Sequence, residues 1–191
     1  FVRRIFLAAV LLPLLVNLLL QSYGWLVILG PGGMLNQALM GLGLIKRPIM
    51  LLYNQNGVLM GLVQTAFPLA VLPIASAMRG VARSYEEAAA TLGASRFQVF
   101  RQVVLPMSLP GIITGATLVF AYNASSFVVP LLLGGRRVPM LAVMVHDQIA
   151  PLMNWPAASA AGVVLIVTTL AIMTLSEFIT GRRRRMLEAS Q

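Results

Sequence analysis

The sequence contains no cysteine, one histidine and five acidic residues, and charged side chains make up only 10% of its 191 positions. Without cysteine, disulfides and thiolate metal sites are excluded, and nothing follows about redox compartment. The lone histidine, His146, stands next to Asp147; one such pair is not a metal site and reads as the solvated face of an amphipathic helix. Paired acids, a Ser/His set or bis-histidine sites, which membrane proteases and redox enzymes need, are missing, so catalysis finds little support. No Walker-type phosphate loop occurs either, so any ATP hydrolysis belongs to a partner.

What the chain has in quantity is apolar surface. Hydrophobic residues make up 59% of the sequence and the mean hydropathy is +0.87, whereas soluble domains carry about 25% charged residues. These values indicate an integral membrane protein. Four stretches reach the roughly 20 residues that a helix needs to cross a bilayer core about 30 Å thick: residues 5–29, 57–78, about 111–133, and 157–179. Helices are the expected form, because each satisfies its own backbone hydrogen bonds where water is absent. The runs also greatly exceed the roughly 9 to 11 alternating residues of a barrel strand. The chain starts at Phe1 with no signal-peptide pattern, and the expectation is a piece lacking its N-terminal helix or helices.

The formal charge of +9 does not point to nucleic acid, which needs a basic face on a soluble fold. The cations instead punctuate the apolar runs, and cytoplasmic segments retain Lys and Arg. With residues 79–106 inside, that side holds Arg3, Arg4, Arg79, Arg83, Arg96, Arg101 and Arg182 to Arg185, ten of the 14 basic residues. Lys46, Arg47, Arg136 and Arg137 fall on the other side. Both ends are therefore expected in the cytoplasm, with outer segments at 30–56 and 134–156. Leu35, Leu39 and Leu42, and then Leu141, Val145, Ile149 and Leu152, recur at helical spacing and predict short interfacial helices there. Trp25 and Trp155 fall near the outer ends of spans, where aromatic anchors are enriched.

Polar residues inside the spans admit two readings. Asn17, Gln64 and Asn123 can hydrogen-bond between helices, or line a solute path. The path reading is sharpest at Ala121-Tyr122-Asn123-Ala124-Ser125-Ser126-Phe127, so Gln64, Tyr122, Asn123, Ser126 and Phe127 are the candidate path residues. Pro13, Pro68, Pro73 and Pro130 predict bends, and Gly111-Ile112-Ile113-Thr114-Gly115 permits close helix packing. Glu177 sits at the inner boundary, one turn from Arg182 to Arg185. A proton-coupled carrier would be expected to hold an acid deeper in a span.

The most polar stretch lies between the second and third spans, at residues 84–106. Ser84 with Glu87 three positions on predicts a capping box, and Glu86 and Glu87 suit the first turn of a helix. Gly93 suits a left-handed helix end. A second helix over 95–104 would gather Phe97, Val99, Phe100, Val103 and Val104 on one face, opposite Gln98, Arg101 and Gln102, and close at Leu105-Pro106. An amphipathic connector on lipid would use the arginines. It would not explain the exposed acids and the alanine run, which fit a surface that enters a protein groove.

Glu87-Ala88-Ala89, Gly93, Val103 and Leu105-Pro106 resemble the EAA loop of ABC importer permeases, with Val103 in place of the usual Ile. "YNQNGVLMGLVQTAFPLAVLPI", "LPMSLPGIITGATLVF", "FVVPLLLGG" and "NWPAASA" are similar to type I permeases of the spermidine/putrescine branch. The resemblance covers essentially the whole chain. It implies an all-α, polytopic transmembrane helical bundle of the MetI-like, type I kind in the bacterial inner membrane, not itself catalytic. It implies three protein partners: an ABC ATPase dimer that binds ATP and Mg, a second permease subunit, and an extracytoplasmic substrate-binding protein. No cofactor is implied in this subunit. Glu86, Glu87, Ala88, Ala89, Gly93, Ala94, Ser95, Leu105 and Pro106 would form the ATPase-coupling loop, with Glu87 pairing a basic residue of the ATPase. Polyamines are the implied solute. Ferric iron, thiamine or another small organic solute is the alternative, and an ion-coupled carrier or a membrane-embedded enzyme lies further off.

Overall fold

The apolar runs fold into helices, as their length requires. The computed structural model describes residues 2–188, and every regular element among them is α, π or 3₁₀. Expectations that rest on the side chains of Arg3, Arg4, Arg136, Glu177 and Arg182 to Arg185 lie outside the described residues. In chain order come α1 (Val2–Leu15), α2 (Leu18–Leu29), α3 (Met34–Gly41), α4 (Gln55–Arg79), α5 (Arg83–Thr91) and α6 (Arg96–Val99). A π-helical turn (Phe100–Val104) leads into α7 (Leu105–Met107) and then α8 (Leu109–Ser125). A second π-helical turn (Pro130–Gly134) and a 3₁₀ turn (Gly135–Arg137) precede α9 (Leu141–Ile149) and α10 (Trp155–Glu188).

Two of the apolar stretches are broken, and in each the break falls at a polar residue. The stretch 5–29 divides at Asn17, which caps α2 through its own side chain, accepting from the Leu19 amide at 2.8 Å. Asn17 is therefore a helix start, not a bond between helices. Gln21 satisfies the carbonyls stranded on the other side of the break, donating through Nε2 to Pro13 at 2.6 Å and Val16 at 2.8 Å. The stretch 111–133 stops at Ser125, and its remainder forms the π-helical turn that starts at Pro130, whose missing amide suits a helix start. By length and composition Leu18–Gly41, Gln55–Arg79 and Trp155–Ser176 can cross a membrane. Arg96–Met107 with Leu109–Ser125, bent by 63°, makes a fourth if the pair is one span.

Two compact units divide the chain, Phe1–Phe67 with Tyr122–Thr169, and Pro68–Ala121 with Leu170–Gln191. The first is centred on Val58, Leu62, Val129 and Leu133, with Leu18, Trp25 and Leu26 of α2 packed against them. Gly61 makes that approach possible: a Cβ there would stand 2.7 Å from both Leu133 Cδ1 and Val129 Cγ1. Asn36 of α3 is fully buried and staples the following loop, donating to the Gly30 and Ile49 carbonyls, each at 3.0 Å, and accepting from the Ile49 amide at 2.8 Å. Nothing in the sequence marks Asn36, because its partners lie up to 13 positions away.

In the second unit the GxxxG of α8 faces α4. A Cβ on Gly111 would run into Ala77 Cβ and stand 2.7 Å from the Pro73 carbonyl, and one on Gly115 would stand 3.0 Å from the Ala70 carbonyl. Small residues thus bring two backbones together, which in lipid takes the place of the hydrophobic drive. Thr117 Oγ1 donates to Ser176 Oγ at 2.9 Å and ties α8 to α10. Elsewhere α10 is bare: only 6% of its membrane-crossing window is buried, so most of that surface faces lipid or another chain.

Candidate functional site

The polar stretch at 83–107 is built by a chain reversal. Gly80 ends α4, its amide reaching the Ser76 and Ala77 carbonyls, each at 3.1 Å, and Val81 is buried. Ala82 is then extended, and α5 starts at Arg83 with no side-chain cap. This corrects the expected capping box at Ser84 and Glu87: α5 starts two residues early, with Ala82 at its N-cap, which leaves Ser84 inside the helix. Glu86 lies in the first turn, whereas Glu87 falls just beyond it.

The far end of α5 closes as Gly93 requires. Its φ is +85°, a conformation in which a side chain is strained. The Gly93 amide donates to Ala90 at 3.0 Å and the Ala94 amide to Ala89 at 3.1 Å, the paired bonds of a Schellman ending. Ser95 then forms the capping box that Ser84 does not. Its hydroxyl accepts from the Gln98 amide at 3.4 Å and its amide donates to Gln98 Oε1 at 2.7 Å. The helix does not close at Leu105-Pro106. It continues to Met107 and breaks at the buried Ser108. The π-helical turn explains how: widening the helix ahead of Pro106, with the Leu105 amide reaching back to Phe100, relieves the clash between the proline ring and the preceding turn.

The result is an outward-facing platform. No residue of α5 is buried, and Leu92 and Phe97 are 89% and 69% exposed. Of the predicted apolar face of the second helix only Val99 and Val104 are buried, and Phe97 and Phe100 are exposed instead. A groove of about 550 Å³ runs between the two helices, lined by Glu86, Glu87, Ala90, Ala94, Arg96 and Phe100 among others. Among the described residues neither Glu86 nor Glu87 takes part in an ion pair, so both carboxylates are available to a partner. Leu92 was not singled out in the sequence, since its exposure depends on the turn.

The candidate path residues are brought together only in part. Tyr122, Ser126 and Phe127 line a recess of about 170 Å³ with Leu18, Ser125 and Val128. Ser126 and Phe127 lie outside any helix, between the end of α8 and the residues that lead into Pro130. Ser126 is 8% exposed, and its Oγ and Asn123 Oδ1 are buried without a hydrogen-bond partner. Gln64 is not part of this recess. It accepts from the Trp25 indole at 3.3 Å, a bond between helices, and Trp25 is half-buried in place of serving as an exposed anchor. Trp155 is 60% exposed. His146, expected on a solvated face, stacks on Phe127 with ring centroids 5.2 Å apart and planes 17° from parallel.

Residues 1–186 match the family model of the binding-protein-dependent transport system inner membrane component. The chain belongs to this family. Among curated relatives, it is 36% identical to the spermidine/putrescine transport system permease protein PotB of Haemophilus influenzae, over 97% of this chain and 63% of that protein. It is 31% identical to PotB of Escherichia coli K12, over 97% of this chain and 66% of that protein. The chain thus spans slightly less than two thirds of the length of these relatives. A bacterial alginate ABC transporter, solved in complex with an alginate pentasaccharide-bound periplasmic protein, shares the fold with a TM-score of 0.79 at 18% identity, over 94% of this chain and 65% of that one. Inner-membrane permease membership accords with the long apolar helices and assigns the chain to a multi-pass transport component.

Proposed function

We propose that this chain is the transmembrane permease subunit of an ATP-driven, binding-protein-dependent importer, with polyamines such as spermidine and putrescine as its solute. The observation that carries the reading is the platform at 83–107: a rigidly ended α5, unburied along its length, bearing two unpaired carboxylates and an exposed Leu92 beside a groove. Such a surface suits insertion into a protein cleft, and it needs both rigid ends to transmit a push. In this reading an ATPase dimer holding ATP and Mg engages Glu86, Glu87, Ala88 and Ala89. Gly93, Ala94 and Ser95 hold the turn, and Leu105 and Pro106 pass the motion towards α8. The solute assignment rests on the PotB relatives.

Membership of a binding-protein-dependent transport family supports two further partners. A second permease subunit covers the bare helical faces, and an extracytoplasmic binding protein delivers solute to the side bearing 30–56 and 134–156. Both ends of the described chain then face the cytoplasm. Chemistry at the membrane is limited to opening and closing a path.

The test is gentle solubilisation of the full-length protein followed by reconstitution with the co-purified subunits. Retention of an ATP-hydrolysing partner and ATP-dependent uptake of radiolabelled putrescine are expected. Glu87→Lys should release the ATPase while leaving the permease inserted. If no ATPase is retained, or if ferric iron or thiamine is taken up and putrescine is not, the role or the solute is respectively wrong.

A further inference from the structure

Four buried side-chain oxygens among the described residues have no hydrogen-bond partner: Gln21 Oε1, Ser108 Oγ, Asn123 Oδ1 and Ser126 Oγ. Three of them flank two helix breaks that meet. The break between α1 and α2 lies just before Leu18, and Gln21 stands one turn further along α2. The break after α8 opens at Ser126, whose amide donates to the Asn123 carbonyl at 3.2 Å. Leu18 from the first break and Ser126, Phe127 and Val128 from the second line one recess. Helix residues three apart share a face, so Gln21 and Leu18 lie on the same side of α2.

Unpaired oxygens are unfavourable in these segments. Leu18–Gly41 is long and apolar enough to cross a membrane, and α8 belongs to a bent pair that can do the same. At that depth no bulk water satisfies a stray oxygen, and most buried polar side chains are paired. Ser22, beside Gln21, shows the ordinary solution: it is 1% exposed and its hydroxyl donates to the Leu18 carbonyl at 2.8 Å. Gln21 uses its Nε2 on Pro13 and Val16 and leaves Oε1 over. Apolar side chains at 123 and 126 would carry no such penalty, so the polar ones are accounted for by a second conformation that wets them. Interrupted helices at membrane depth occur where they line a water-filled cavity.

We infer that Gln21, Asn123 and Ser126 line the solute path when it is open, and that the recess at Ser126 is this path closed, with their oxygens withdrawn from water. The inference rests on the importer reading above and adds which side chains change exposure during the cycle. Gln21 takes the place of Gln64, whose oxygen is already held by Trp25. The recess need not bind solute; a wetted lining lets it pass.

The sequence contains no cysteine, so an introduced thiol is the only one in this subunit. The complete transporter in proteoliposomes is treated with a membrane-impermeant methanethiosulfonate on both faces, at rest and while supplied with ATP and the binding protein, and labelling of this subunit is read by mass spectrometry. Ser126→Cys and Asn123→Cys should react about tenfold faster during turnover than at rest, because a buried thiol is inert and a wetted one is not. Ser22→Cys, at a satisfied position, should stay unreactive in both conditions. An assembled Ser126→Cys transporter that is unreactive throughout, or as reactive at rest as during turnover, overturns the inference. So does a Ser22→Cys thiol that gains reactivity in step with it, which marks general loosening. If Ser126→Cys does not assemble, Asn123→Cys decides by the same comparison. An unmutated complex that retains no ATPase and takes up no solute refutes the importer reading, and the inference falls with it.

Discussion

The Ala94 amide donates to the Ala89 carbonyl at 3.1 Å across Gly93, so these two alanines are locked to each other by the turn that ends α5. This bond makes the helix end a fixed corner. In the proposed coupling, a push on Ala88 and Ala89 would reach Ser95 and the helix behind it through this corner.

The corner depends on backbone conformation alone. No atom lies within 4 Å of a Cβ added at Gly93, so a substitution there meets no clash and pays only for its left-handed φ, about 1–2 kcal/mol for an ordinary residue. Gly93→Val should uncouple ATP hydrolysis from uptake, with normal membrane insertion, while Gly93→Asn, which tolerates this conformation better, retains most transport. Equal loss in both variants, measured as uptake per ATP hydrolysed, would count against the corner.

Two serines in similar sequence settings should behave differently. Ser95→Ala removes a formed capping box and should destabilise the start of α6 by about 1 kcal/mol, read as faster amide hydrogen exchange at Gln98. Ser84→Ala should leave exchange around α5 within error, because Ser84 sits inside the helix.

Glycine replacement should sort by packing. Gly111→Ala places a methyl against Ala77 and Pro73, an overpacking expected to cost about 1–3 kcal/mol and to lower the melting temperature in detergent. Gly24→Ala meets nothing within 4 Å and lies inside α2, where the change should stabilise by up to about 1 kcal/mol. A matched pair of thermal unfolding curves checks both signs.

Asn36→Ala should loosen the segment between α3 and α4. The variant removes three hydrogen bonds at a fully buried side chain and leaves the Ile49 amide and two carbonyls to find other partners, a loss of about 1–3 kcal/mol. Limited proteolysis within residues 42–54 should accelerate markedly, with cleavage elsewhere unchanged.

How much could be read beforehand varied by residue. Gly93 was legible because a helix end in left-handed geometry all but demands glycine. The GxxxG of α8 announced close packing, although only the structure names Pro73 and Ala77 as its neighbours. The capping box forms at Ser95 and not at Ser84, although each precedes a Glu or Gln by three residues, because Ser84 falls inside a helix that already starts at Arg83. His146 looked solvated because its stacking partner, Phe127, is remote in sequence. Gln64 pairs with Trp25 across 39 positions, while the recess forms without it.

The sequence by itself determined the class of molecule: apolar runs of bilayer length must be helical, since only a helix satisfies its own backbone in lipid, and the spacing of Glu87, Gly93 and Leu105-Pro106 resembles one family of permease loops. These are local properties, set by hydropathy, backbone angles and neighbours within a turn. Tertiary structure decided which polar groups are spent on bonds between distant segments, as Asn36 and Gln64 are. It also decided which polar groups remain unused, as the Ser126 hydroxyl does. That choice turns on contacts between residues far apart in the chain, which no local pattern encodes.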